Sequence, residues 1–174
     1  MLKIILKKIF FFDGERYWRR REKVFTTKNR LVKWYLVFWL KRQNQKQAAD
    51  IGINADGENN FLSKPILNPH GIKGIVISAN AVIGRNCWIS HHVTIGRSWN
   101  GVPKIGDDCF IGPGATIFGD ITIGNNVRIG ANCPVFFDVP DNATVVMQKP
   151  KVIVKDADYR YYTLKTDFEQ EKTK

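Results

Sequence analysis

Two hydrophobic periodicities divide the chain near residue 50. From Ile77 every sixth residue is aliphatic: Ile77, Ile83, Ile89 and Ile95, then, after a break, Ile105, Ile111, Ile117, Ile123, Ile129 and Val135. Glycine follows the aliphatic residue at Gly84, Gly96, Gly106, Gly112, Gly124 and Gly130. Four positions after the aliphatic comes a small or β-branched residue: Ala81, Cys87, Val93, Cys109, Ala115, Ile121, Val127 or Cys133. A period of six fits neither a helix nor an alternating strand. It predicts a solenoid of short flat strands, each followed by a turn, with aliphatic side chains stacked down the interior. The break at 97–104 lengthens one repeat by four residues and predicts a projecting loop.

Upstream the spacing changes. Ile4, Ile5, Ile9 and Phe12, and again Leu31, Tyr35, Phe38 and Trp39, fall near helical spacing with Lys and Arg between them. Two or three basic amphipathic helices are expected over 1–50, the solenoid over 51–154 and a polar tail over 155–174. Residues 50–65, with Gly52, Gly57, Asn59, Asn60 and Pro65, read as a linker. The segment 138–142 reads as a turn closing the solenoid and 152–154 as a last strand. The tail reads as a helix or a disordered end.

Composition narrows this without redirecting it. At 174 residues there is room for one domain and little more. The formal net charge is +11, but residues 1–50 hold 14 basic and 4 acidic side chains, against 13 and 12 over 51–174. The charge therefore belongs to the helical front, where it suits an anionic partner. No apolar run approaches the ~20 residues that cross a bilayer. Lys3, Lys7 and Lys8 interrupt the first apolar stretch, which argues against a cleaved signal peptide. Three cysteines are too few for a disulfide scaffold, and all share one register of the repeat, so they are expected as small inward packing groups in a cytoplasmic protein.

The repeat resembles that of the hexapeptide-repeat acyltransferases, and within them the serine O-acetyltransferase-like branch, which includes polysaccharide O-acetyltransferases. The resemblance rests on His70-Gly-Ile-Lys-Gly-Ile-Val-Ile77, Ala81-Val-Ile-Gly84, Val93-Thr-Ile-Gly96, Pro103-Lys-Ile-Gly106, Ile111-Gly-Pro-Gly-Ala115 and Val139-Pro-Asp-Asn142. It implies a mainly β fold, a left-handed parallel β-helix with three repeats per coil, carrying an N-terminal α-helical segment. It further implies a homotrimer with active sites in clefts between neighbouring coils, acetyl-CoA lying along the cleft, and a histidine base acting on the acceptor hydroxyl.

Such a reaction needs a base, because an alcohol is a poor nucleophile at neutral pH. A thioester brings its own leaving group, so no metal is expected. His70 occupies the branch's histidine position and is the candidate base; its alternative is a turn histidine after Asn68-Pro69. His91 and His92 are candidates for acceptor contact or plain surface positions. By position in the family, the acetyl-CoA contacts would be Gly96, Gly114, Ala131 and Asn132, with Lys149 and Lys151 near the phosphates. Gln148-Lys-Pro-Lys151 replaces the family's Gly-x-Pro-Ala. The loop places Val102 where serine acetyltransferases carry a histidine, and their Asp-Ile-His-Pro sequence is missing upstream. These departures favour a sugar of a surface polysaccharide as acceptor over serine. Trp99 offers a flat face to a sugar ring or packs the loop down. A β-helical carbonic anhydrase would need three histidines on zinc, whereas adjacent His91 and His92 would point apart on a strand. A non-enzymatic module using the basic front lacks any nucleic-acid motif. The front suits either the anionic inner face of a membrane, and with it a lipid-linked sugar acceptor, or a solvated helical cap whose Trp and Phe residues pack on the trimer.

Overall fold

The computed structural model describes residues 12–54, 57–67 and 69–155. The helix expected around Ile4 to Phe12 and the tail beyond 155 fall outside them, apart from Phe12. Helix α1 (Gly14–Thr26) starts where the Asp13 carboxylate accepts a hydrogen bond from the Arg16 amide at 3.0 Å. Helix α2 (Arg30–Lys46) starts in the same way on the Asn29 side chain, which accepts from the Leu31 and Val32 amides. Tyr17, Trp18 and Val24 of α1 and Leu36 and Leu40 of α2 are buried. Arg20 lies over the Trp39 ring at 4.2 Å, a cation–π contact that joins the two helices.

The solenoid has three faces of parallel strands two or three residues long. The first face holds β1 (Asp50–Ile51), β3 (Val76–Ile77), β6 (Thr94–Gly96), β9 (Thr116–Phe118) and β12 (Pro134–Val135). The second holds β4 (Val82–Ile83), β7 (Lys104–Ile105) and β10 (Thr122–Ile123). The third holds β2 (Ile66–Leu67), β5 (Trp88–Ile89), β8 (Phe110–Ile111), β11 (Arg128–Ile129) and β13 (Thr144–Val145). The pairing register stacks like on like: Ile77 on Ile95, Ile95 on Ile117, Ile117 on Val135. All ten aliphatic residues of the six-residue series are buried. At roughly 1.5–3 kcal/mol for each buried side chain, this column is the main source of the solenoid's stability.

The turns explain the recurrent Gly, Asn and Asp. Between the second and third faces, Asn86, Asp108, Asn126 and Asn142 all adopt left-handed backbone, which short polar residues tolerate best. Their side chains bond from coil to coil, with Asn86 Nδ2 donating to Asp108 Oδ1 at 2.7 Å and Asn126 Nδ2 to Asn142 Oδ1 at 2.9 Å. One position earlier a second ladder runs parallel, in which the Asp107 amide donates to Asn125 Oδ1 at 2.9 Å and the Asn125 amide to Asp141 Oδ1 at 2.7 Å.

Three expectations need correction. Residues 50–65 are no linker: β1 pairs with β3 and Phe61 bridges Ile83, so this stretch already forms the first coil. The turn at 138–142 does not close the solenoid, because Val139 bridges Ile123 and β13 pairs with β11 beyond it. Residues 152–154 form no strand; Val152, Ile153 and Val154 are exposed and pair with no strand among the described residues. The cysteines are as expected: Cys87, Cys109 and Cys133 are free and buried. The Cys87 thiol donates to the Gly106 carbonyl at 3.2 Å and that of Cys109 to the Gly124 carbonyl at 3.1 Å. The neighbouring Cys109 side chain, reinforced by burial, pushes the Cys87 thiol well above its ordinary range, so it is no nucleophile.

The helical front is pinned to the first coil by Arg21, which is fully buried. One guanidinium nitrogen donates to the Gly52 carbonyl at 2.5 Å and to Asn60 Oδ1 at 2.7 Å. The Tyr17 hydroxyl donates to Asn44 Oδ1 at 2.7 Å, and Asn44 Nδ2 donates to the Ile51 carbonyl at 3.2 Å. Burial pushes the Tyr17 hydroxyl up to about 12, against the opposing pull of Arg21.

Candidate active site

The corner joining the third face to the first collects the chain's three histidines. His70 lies in the turn between β2 and β3, and His91 and His92 in the turn between β5 and β6, one coil further on. The His70 and His91 rings meet edge to face with centroids 5.0 Å apart, and those of His91 and His92 with centroids 5.5 Å apart. His91 and His92 thus lie in a turn, not on the strand their sequence context suggested, and their rings stay close together. Among the described residues no group of three His, Cys, Asp or Glu side chains is placed to hold a metal ion.

A backbone device positions the cluster. His92 is left-handed, with φ of 56°, and its amide donates to the Lys73 carbonyl at 3.1 Å. Its ring lies over Gly74, where a Cβ would fall 2.1 Å from His92 Nδ1. Gly74 is left-handed too, with φ of 66°. Position 74 therefore requires glycine twice over, for its own conformation and to leave room for the imidazole.

The same corner continues down the solenoid. The Gly114 amide donates to the His91 carbonyl at 3.1 Å, and the Asn132 amide to the Pro113 carbonyl at 2.9 Å. Gly114, Ala131 and Asn132 thus fall in line below the histidines. At Gly114 the space beside the backbone is filled: a Cβ there would lie 2.2 Å from Asn132 Oδ1. Lys149 and Lys151 follow β13 and are exposed past the last coil of the third face. With coils about 4.8 Å apart, an edge with histidines near one end and lysines past the other spans roughly 20 Å.

Gly96 and Trp99 are not brought to this corner. Gly96 ends β6 and opens the four-residue expansion between the first and second faces. A Cβ on Gly96 would meet only ordinary contacts, with Phe118 Cβ nearest at 3.6 Å. Trp99 is 95% exposed, so it does not pack the loop down. The loop is held instead by the Ser98 amide donating to the Gly101 carbonyl at 2.9 Å and by buried Pro103.

One feature beside His70 had no sequence signal. A cavity of about 530 Å³ opens between the start of α1 and residues 64–71, with Phe12, Trp18, Pro65, Leu67, Pro69 and Gly71 among its walls. Pro69 and Gly71 are the chain neighbours of His70. Trp18 Nε1 is buried without a hydrogen-bond partner, and Lys64 pairs with Glu15 at the edge. Its walls come from segments some 50 residues apart, so no local pattern announces it.

Comparison with known proteins agrees with the fold and the repeat. The family model described as bacterial transferase hexapeptide (six repeats) matches residues 103–133, and that of the hexapeptide repeat of succinyl-transferase matches residues 120–147. A serine acetyltransferase of Helicobacter pylori is 41% identical over 99 residues, covering 55% of this chain and 57% of the relative. A probable serine acetyltransferase of Oryza sativa is 46% identical over 89 residues, covering 49% and 29%. Among solved structures, serine acetyltransferase isoform 3 of Entamoeba histolytica in complex with cysteine superposes with a TM-score of 0.66 at 27% identity, over 86% of this chain and 53% of that one. The Neisseria gonorrhoeae serine acetyltransferase in complex with serine gives a TM-score of 0.60 at 30% identity, over 83% and 59%. The chain thus spans little more than half the length of these relatives at most. Its six-residue repeat matches hexapeptide-transferase models over 103–147, and these proteins that it is like in fold and sequence are serine acetyltransferases.

Proposed function

We propose that the chain transfers an acetyl group from acetyl-CoA to a hydroxyl, with His70 as the general base. The observation that carries this is the convergence of the chain's three histidines at one corner of a fold whose relatives are serine acetyltransferases. In this reading His70 takes the proton of the acceptor hydroxyl as its oxygen attacks the thioester carbonyl. The tetrahedral intermediate collapses by breaking the carbon–sulfur bond, and the proton returns from the imidazolium to the departing CoA sulfur. The ester and CoA-SH are the products, and nothing is oxidised or reduced. Acetyl-CoA would lie along the histidine corner, past Gly114, Ala131 and Asn132, with Lys149 and Lys151 meeting its phosphates and Gly96 contributing from the next corner. His91 and His92 would contact the acceptor.

Serine is the acceptor that the relatives support. A sugar hydroxyl is the second reading, with surface polysaccharide as its setting. It is favoured by Trp99, which stands free for a ring to stack on, and by Val102 in place of a loop histidine. A homotrimer belongs to the same proposal: His70 is exposed, and Val76, Val82, Trp88 and Phe118 leave apolar side chains on the outside of the coils. A second copy would wall in the histidine corner. Contact of the helical front with the anionic inner face of a membrane, and a lipid-linked sugar as acceptor, are the finer part of this reading.

The test is release of CoA thiol from acetyl-CoA in the presence of serine or of a panel of sugars. Serine-dependent release would support the first acceptor and sugar-dependent release the second; absence of release with every acceptor would sink the proposal.

A further inference from the structure

Helix α2 buries one face and leaves a different one bare. Leu36, Leu40 and Asn44 are buried, whereas Leu31, Trp34, Tyr35 and Phe38 are 82%, 74%, 55% and 56% exposed. Spacings of three and four residues put these four side chains on a single stripe. The Trp34 and Phe38 rings lie nearly parallel, at 8°, with centroids 6.2 Å apart. At 100° per residue, Arg30, Lys41, Arg42 and Lys46 fall on the same outward arc, and all four are exposed. The face is therefore apolar and aromatic in its first half and cationic at both ends.

We propose that this face of α2 docks on an anionic phospholipid membrane. The helix would lie in the plane of the interface, with Leu31, Trp34, Tyr35 and Phe38 inserted at headgroup level and Arg30, Lys41, Arg42 and Lys46 over the lipid phosphates. The inference rests on the reading of the helical front as the membrane-facing part of the molecule and supplies the surface that does it. Charge decides between a membrane and a second copy of the chain. Residues 12–50 hold eleven Lys and Arg against four Asp and Glu, so pairing two such faces brings like charge against like, whereas a phosphate-rich surface complements it. Trp and Tyr are also the residues that suit the headgroup layer, since each ring has an apolar body and a polar tip. No helix among the described residues is long and apolar enough to cross a membrane, which fits a helix lying on the surface.

The full chain is to be sedimented with vesicles of phosphatidylcholine, and of phosphatidylcholine mixed with phosphatidylglycerol. The expected result is co-sedimentation with the mixed vesicles only, weakened by salt. The double variant Trp34→Ser, Phe38→Ser should lose at least about tenfold in partitioning. Both side chains are exposed, so the variant should keep the wild-type thermal melt and its CoA release with a soluble acceptor. Equal binding of wild type and variant would overturn the proposal, as would no binding to anionic vesicles. Concentration-dependent self-association that the variant abolishes would assign the face to a second copy instead. Vesicle binding by a protein without acetyl transfer would leave this inference standing while the proposed function failed; acetyl transfer without vesicle binding would do the reverse.

Discussion

Position 74 shows how much of a site can rest on a missing side chain. A methyl group there would strike the His92 ring while also straining a left-handed backbone. Gly74→Ala is expected to cost about 1–3 kcal/mol, read as a lower denaturation midpoint, and to displace the histidine cluster so that turnover falls as well. Arg21 is the opposite case, a charge fixed by what it holds. Burial lowers its pKa, and truncating it leaves the Gly52 carbonyl and Asn60 side chain buried without their donor. Arg21→Ala should therefore destabilise the chain by about 3 kcal/mol in a denaturant titration. Tyr17 gives a signature in pH. Its hydroxyl, ordinarily near 10, is pushed up to about 12 in the folded chain, so the unfolded chain gives up this proton first. Stability from this group is complete below about pH 10 and is lost as pH rises towards 12, by about 2–3 kcal/mol in total. Tyr17→Phe should flatten that stretch of the stability–pH curve, which denaturant melts across the range would reveal.

At the scale of elements, each strand is too short to hold itself, and stacking makes it cooperative. Ile95 lies between Ile77 and Ile117 in the aliphatic column. Ile95→Ala should lower stability by about 2–5 kcal/mol, because rigid coils on either side cannot collapse into the gap; calorimetry of the two proteins measures it. This column was fully legible in the sequence, since a strict six-residue repeat has one structural meaning and leaves its inward residues no choice. The first and last coils were less legible for a physical reason. They carry no complete repeat: Phe61 and Val139 join by single bridges, and Gly52 and Asn59 look like linker residues although Ile51 and Asn60 beside them are bonded into the coils. The histidine corner was half legible. His70 stood out by its motif, but its contact with His91 joins residues on different coils, and their turn geometry depends on Gly74. On α2 the residues marked by helical spacing, Leu31, Tyr35 and Phe38, form the exposed stripe, and Leu36 and Leu40, which no sequence pattern singled out, form the buried side.

At the scale of the molecule, the excess of positive charge and the candidate chemistry occupy different parts. The basic side chains concentrate on the two helices, and the histidine corner belongs to a solenoid of nearly balanced charge. If trimer contacts complete the site, light scattering should give three chains per particle, and Trp88→Asp on the exposed third face should shift the mass towards one chain and depress CoA release with it. A monomer with full activity would remove the neighbouring copy from the account. The most direct test concerns His70. With acetyl-CoA and the acceptor found in the panel, wild-type protein should release CoA thiol in an acceptor-dependent way, and His70→Ala should lower kcat by roughly 10²–10⁴ while leaving the thermal melt unchanged. A His70→Ala protein that keeps the wild-type rate would contradict the central claim that this imidazole is the base.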